Sequence, residues 1–178
     1  MIKMFLTCIL IQLRLVSYRL PLLRQKKHYE CGVACLVMMA CYYGNFVGLR
    51  RARKFLQAQA NGLSVREIIE CSCKFKLIAN VRELTVDQLS QLKTPSVLHW
   101  NKNHFVILKS INDREAVIHD PAVGIVRIVN QDLQNYYSGI VIDFEPINSF
   151  ECEYKKLALK KTQKSASLFS RQYPNIPT

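Results

Sequence analysis

Apolar and polar positions divide the 178-residue chain into two halves of different character. From Cys31 through Tyr43 the residues are Cys-Gly-Val-Ala-Cys-Leu-Val-Met-Met-Ala-Cys-Tyr-Tyr, followed by Gly44 and Asn45. The run is too long for an ordinary buried strand, so it predicts a helix buried on most sides and closed at Gly44. Leu49 to Gln59, with basic residues at 50, 51, 53 and 54, predicts a shorter surface helix. Asn61-Gly62 then supplies a turn. Ser64 caps a helix through Glu70, with Glu67 as its capping-box partner. A further helical stretch is expected from Val86 to Leu92, before Pro95.

Beyond Pro95 the period changes. Ser96 to Trp100, His104 to Ile111, Glu115 to His119, Ile125 to Val129 and Gly139 to Phe144 are short runs rich in β-branched and aromatic residues. Asn, Asp, Gly or Pro signals separate them, as expected for strands of a largely antiparallel sheet. Asp120-Pro121-Ala122-Val123-Gly124 makes a tight connection between two of them. Helices first and strands afterwards predict an α+β fold, the N-terminal helical half packed on a mainly antiparallel sheet.

The two ends differ from this body. Met1 to Val16 is an apolar run interrupted by Gln12 and Arg14, and Pro21 ends or kinks it. No small-x-small cleavage site follows, and no segment reaches the roughly 18 apolar residues needed to span a bilayer. An amphipathic surface helix or part of a docking segment is expected there. After Pro146 the pattern decays into a Lys-rich tail. The expected division is therefore 1–17 as an N-terminal segment, 18–146 as the folded domain and 147–178 as a basic tail or shortened linker.

Charge follows the same division. The formal net charge is +12, but residues 1–27 hold six Lys/Arg and no acid, and residues 147–178 hold six against two. Residues 28–146 hold thirteen against eleven, so the body is nearly balanced. With no aromatic platform interleaved among the basic residues, this excludes a nucleic-acid module. The basic flanks either lie against an anionic membrane surface, as a peripheral membrane contact, or serve as solubilising tails. Seven cysteines, an odd number in a chain long enough to bury its own core, point to a reducing compartment rather than a disulfide scaffold.

The candidate chemistry gathers at Gln-Lys-Lys-His-Tyr-Glu-Cys-Gly-Val-Ala-Cys, residues 25 to 35. Cys31 stands at the expected first turn of the buried helix, where unpaired backbone N–H groups and the positive end of the dipole favour an anion. Gly32, having no side chain, is expected to let a substrate backbone approach. A thiol hydrolase also needs an imidazole, a group to orient it and donors for the oxyanion. His104 opens a strand, where a rigid backbone would fix its ring. Asp120 follows His119 and, by alternation, points to the opposite side from it. Paired strands would then bring Cys31, His104 and Asp120 together, with Gln25 close enough to donate to the oxyanion. His28 reads as a bystander, and Cys35 and Cys41 as small buried hydrophobes. Cys71 and Cys73, close to Lys74 and Lys76, read as exposed thiols with no link to catalysis. A zinc site from His28, Cys31, Cys35 and the Cys71/Cys73 pair is the weaker alternative, since Cys-x₂-Cys pairs are missing.

Three blocks in order, QKKHYECGVACLVMMACYYG, PSVLHWNKNHFVIL and VIHDPAVG, resemble the C39 peptidases. These are papain-like cysteine protease domains at the N-terminus of bacterial exporters of bacteriocins and similar peptides, those of colicin V type being most similar. The likeness covers about residues 18 to 146. It implies that Cys31 is the nucleophile, His104 the general base and then acid, Asp120 the group orienting His104, and Gln25 the oxyanion donor, with no cofactor. It implies a precursor peptide with a double-glycine leader as substrate, and S1 and S2 sites that admit only small residues. Implied partners are the membrane and nucleotide-binding domains of an ABC transporter, acting in trans, in the cytoplasm or on the cytoplasmic face of the inner membrane. No G-x-x-x-x-G-K-[ST] loop occurs in the chain, so these residues do not hydrolyse ATP. The chain thus reads as a free-standing peptidase, a truncated product or part of a split exporter. A leader- or cargo-binding domain without catalysis is the rival reading.

Overall fold

The computed structural model describes residues 19–56 and 62–147. The expected N-terminal segment, the end of the helix at 57–59, Asn61 and the Lys-rich tail lie outside the described residues. A single 3₁₀ turn, His28–Glu30, leads directly into α1, Cys31–Tyr42. Every residue of α1 from Cys31 through Ala40 is buried, as an apolar run without a polar face requires. The helix stops where expected: the Tyr43 N–H donates to the Met39 carbonyl and Gly44 takes φ +82°, a left-handed value that glycine adopts without strain.

α2, Leu49–Leu56, buries Ala52 and Leu56 and turns Arg50, Arg51 and Lys54 outward. α3, Val65–Ser72, carries the predicted capping box, with Ser64 accepting from the Glu67 N–H and the Glu67 carboxylate accepting from the Ser64 N–H. It runs two residues past the expected end. The stretch expected as a helix at 86–92 is a 3₁₀ turn, Asp87–Gln91, because Leu89 is its one buried side chain and little holds a longer helix.

Six strands form one sheet: β1 Leu77–Glu83, β2 Ser96–Trp100, β3 His104–Ile111, β4 Glu115–Asp120, β5 Gly124–Val129 and β6 Tyr137–Pro146. Their order is β1-β6-β2-β3-β4-β5, and every pairing is antiparallel. The α+β architecture, helices first and packed on a mostly antiparallel sheet, is as expected. β1 has no counterpart in the pattern reading. Its inward side chains are Leu77, Ala79 and Val81, and Asn80, Arg82 and Glu83 dilute the strand signal, as befits an edge.

Alternation along the strands sorts the core into two clusters. One face sets Val97, Phe105, Ile107, Ile140, Ile142 and Phe144 against α1, α2 and α3. The other buries Leu98, Val106, Leu108, Ile118 and Val141 beneath Leu89 and Leu133, which come from 3₁₀ turns. The segment before α1 runs over the helix-side edge of the sheet. There the Leu23 N–H points at the Met38 sulfur, and His119 Nδ1 lies 3.4 Å from the Pro21 carbonyl.

Candidate active site

The start of β3, the end of β4 and the N-terminus of α1 meet at one edge of the molecule. His104 shares its strand face with Val106 and Leu108, and Asp120 shares its face with Ile118 and Ala116. Both side chains therefore leave the sheet on the same side. Nε2 of His104 donates to Oδ1 of Asp120 at 2.9 Å, and Cys31 lines the same cleft, near enough to raise the pKa of the ring. With Nε2 engaged, Nδ1 is the nitrogen left for the sulfur. His119 points the other way, toward Pro21, so alternation separates the two histidines as expected.

Burial alone would discharge the His104 ring, yet its pKa is pushed up to about 9 by the hydrogen bond to Asp120, by Cys31 and by the charges of both. Burial likewise opposes ionisation of Asp120. The His104 bond and the Ala122 and Val123 N–H groups outweigh it and hold the carboxyl below its usual range. An imidazolium between a sulfur and a carboxylate at neutral pH follows. The Asp120 turn is also bonded within itself: Oδ1 accepts from the Ala122 N–H at 2.7 Å, and Asp120 pairs with Gly124 across the tight connection predicted from Asp120 to Gly124.

Gln25 lines the same cleft as Cys31, His104 and Asp120, together with Tyr29 and Trp100, in a cavity of about 730 Å³. Its Nε2 donates to the His28 carbonyl at 3.2 Å, and its backbone N–H donates to the Pro121 carbonyl at 2.9 Å. Oε1 is buried and accepts no hydrogen bond. The bond to His28 uses one of the two N–H groups of the amide. His28 also lines this cavity, with its ring edge-on to Tyr29.

Three expectations need correcting. Gly32 is buried, and a Cβ there would meet Leu63 Cβ at 3.2 Å and Ile68 Cδ1 at 3.3 Å. Its missing side chain admits α3 and the preceding loop, not a substrate. Cys73 is buried and Cys71 half-buried, so neither is the exposed thiol expected; burial pushes the Cys71 thiol up. Cys41 is half-buried rather than buried. Cys35 is the packing residue expected, its sulfur 3.4 Å from the Phe105 carbonyl and its thiol raised well above its ordinary value by burial and by Cys31 and Asp120. Among the described residues no group of three or more His, Cys, Asp or Glu side chains is placed to hold a metal ion.

Residues 19–149 match the Peptidase C39 family. The chain belongs to this family. It is 33% identical over 135 residues to the colicin V secretion/processing ATP-binding protein CvaB of Escherichia coli, covering 76% of this chain and 19% of that one. It is 27% identical over 131 residues to the lacticin-481/lactococcin-DR transport/processing ATP-binding protein lcnDR3 of Lactococcus lactis subsp. lactis, covering 71% and 19%. The chain thus spans about a fifth of the length of these relatives. Among solved structures, a double glycine motif protease from an AMS/PCAT transporter, in complex with the leader peptide, superposes with a TM-score of 0.67. It shares 30% identity over 73% of this chain and 94% of its own. The peptidase domain of Streptococcus ComA has the same fold, with a TM-score of 0.65 at 20% identity over 72% of this chain and 99% of its own.

Sequence reading missed one pair that shapes this Peptidase C39 site. Glu30, immediately before Cys31, is buried; its carboxylate receives two bonds from the Arg53 guanidinium and also accepts from the Lys26 and Lys27 N–H groups. Arg53, chiefly by that hydrogen bond, holds the Glu30 carboxyl below its ordinary value, against the cost of burial. The approach loop to Cys31 is thereby folded around one carboxylate. The clue was a lone acid beside an apolar helix and a cluster of arginines twenty residues on. In sequence, that cluster looks like a solvated face.

Proposed function

We propose that residues 18–146 form a cysteine endopeptidase that removes a leader peptide by cutting after a double-glycine type motif. Its released cargo would pass to an ABC-type exporter at the cytoplasmic face of the bacterial inner membrane. The observation that carries this reading is the Asp120–His104 hydrogen bond in a cleft that Cys31 also lines, within a chain that belongs to the Peptidase C39 family. The relative solved with its leader peptide is a double glycine motif protease, which supports the substrate class.

In this mechanism the Cys31 sulfur, as thiolate, attacks the carbonyl carbon of the leader's last residue. The developing oxyanion takes the other N–H of the Gln25 amide and the backbone N–H of Cys31 at the start of α1. His104, already protonated, gives its Nδ1 proton to the leaving amine as the C–N bond breaks. The neutral ring then draws a proton from water, which attacks the thioester and releases the leader. Asp120 holds the ring in the tautomer that presents Nδ1 to sulfur. Tyr29, Trp100 and His104 crowd the cleft around Cys31, in keeping with small residues at the scissile bond. The membrane and nucleotide-binding domains of an ABC transporter are the proposed partners, in line with the transport/processing relatives.

The test is incubation of the purified chain with double-glycine precursors, wild type against Cys31→Ala, with the cut located by mass. Cleavage by wild type and none by the variant, with leader binding retained, is expected. Equal turnover would refute the assignment. Leader binding without cleavage by the wild type would favour a binding domain instead.

A further inference from the structure

Arg24 belongs by sequence to the basic flank and is exposed, yet its guanidinium is hydrogen-bonded to the turn that follows β4. Nη2 donates to the Ala122 carbonyl at 2.5 Å, and Nη1 stands 3.0 Å from the point a Cβ on Gly124 would occupy. Gly124 adopts φ +110°, a backbone conformation that calls for glycine. One residue on, the Gln25 N–H donates to the Pro121 carbonyl. Residues 24 and 25 are thus pinned to residues 121–124. The same turn carries Asp120, whose Oδ1 is held by the Ala122 N–H on one side and meets His104 Nε2 on the other.

We propose that Arg24 is a positioning residue of this site: by clamping the Ala122 carbonyl it fixes the Asp120 carboxylate against His104 and keeps Gln25 beside Cys31. This rests on the peptidase reading above. A guanidinium suits the place because one of its terminal nitrogens bonds the carbonyl while the other stands beside Gly124, a two-point fit that a lysine ammonium does not reproduce. The ionisable groups around His104 are Cys31 from α1 and Asp120 from β4, with His28 lining the same cleft. Arg24 reaches the ring only through the turn and Asp120, so its removal should appear in the titration of His104.

The experiment compares wild type, Arg24→Ala and Arg24→Lys in the full chain. It follows His104 by imidazole NMR, Cys31 by its rate of alkylation with iodoacetamide across pH, and kcat and KM on a double-glycine precursor. In Arg24→Ala the His104 midpoint should fall by roughly half a unit or more as Asp120 loosens. The alkaline limb of alkylation should move with it, and kcat should drop about tenfold with KM within about twofold. Arg24→Lys should recover part of each effect. An unchanged His104 midpoint in Arg24→Ala would overturn the proposal. If Arg24→Ala does not fold, Arg24→Lys alone decides: a wild-type midpoint and kcat in that variant also overturns it. Should the wild type cleave no precursor, the peptidase reading fails, while the titration and alkylation data still decide the role of Arg24.

Discussion

The two faces of the sheet are built to different standards. The helix-side face is sealed by α1, whose residues from Val33 to Ala40 are essentially inaccessible, and by α2 and α3. Among the described residues the opposite face is covered by Leu89, Leu133 and neighbours from short 3₁₀ turns, with Tyr136 exposed beside it. The proposed catalytic groups straddle this divide. Cys31 comes from the sealed layer, whereas His104 and Asp120 stand on the strand face of the lightly covered one. They meet only where strands and helix end together. Rigidity thus comes from one layer, and the other brings His104 and Asp120 to the open cleft where the proposed substrate would bind.

The sharpest way to break this arrangement is at the seam. Asp120→Asn keeps the shape but removes the charge, and kcat/KM on a double-glycine precursor should fall roughly 10²-fold. The pH profile sharpens the same point. His104 has its pKa raised from 6.5 to about 9, so the imidazolium contact stabilises the fold fully below the unfolded value and is lost as pH rises through 9. The alkaline limb of kcat/KM should therefore lie near pH 9 in the wild type and move lower in Asp120→Asn. Asp120, with its pKa lowered, adds the same contact's contribution above the ordinary carboxylate range and loses it as pH falls below that range. A profile with its alkaline limb unmoved in Asp120→Asn would separate His104 from Asp120.

Next in size is a change confined to the sealed layer. Leu36→Ala, in the middle of α1 and fully buried, should destabilise the chain by about 2–5 kcal/mol in denaturant unfolding. The folded fraction should retain near wild-type kcat. Smallest is His119→Gln. The ring contacts Pro21 on the helix-side edge and faces away from Asp120, so stability should change by about 1 kcal/mol and cleavage should survive. Loss of cleavage in this variant, with His104→Gln active, would reverse the roles given to the two histidines.

Much of this organisation was legible because it is local. The uninterrupted apolar run of α1, the Ser64/Glu67 cap and the alternating strands each express one period or one cap. The juxtaposition of Cys31, His104 and Asp120 was reached by combining strand alternation with the resemblance to C39 peptidases. What escaped depends on partners distant in sequence. β1 is an edge strand held by β6, more than fifty residues later. The Glu30 carboxylate needs Arg53, and Gly32 proves to be a packing residue only once Leu63 and Ile68 are placed against it. The bonds from Arg24 and Gln25 to residues 121 and 122 likewise cross nearly a hundred positions.

The position of β6 has a consequence for how the molecule is made. It is the last strand to be synthesised among the described residues, yet it lies between β1 and β2 and pairs with both. Until Tyr137–Pro146 has left the ribosome, the two earlier parts of the sheet have nothing to join them, and α1 has no complete surface on which to dock. Folding of this body must wait for its own final strand, although Cys31 and His104 emerge long before. A half-made chain therefore carries its proposed nucleophile without the frame that aims it, and the cleft comes into being only when β6 has been made.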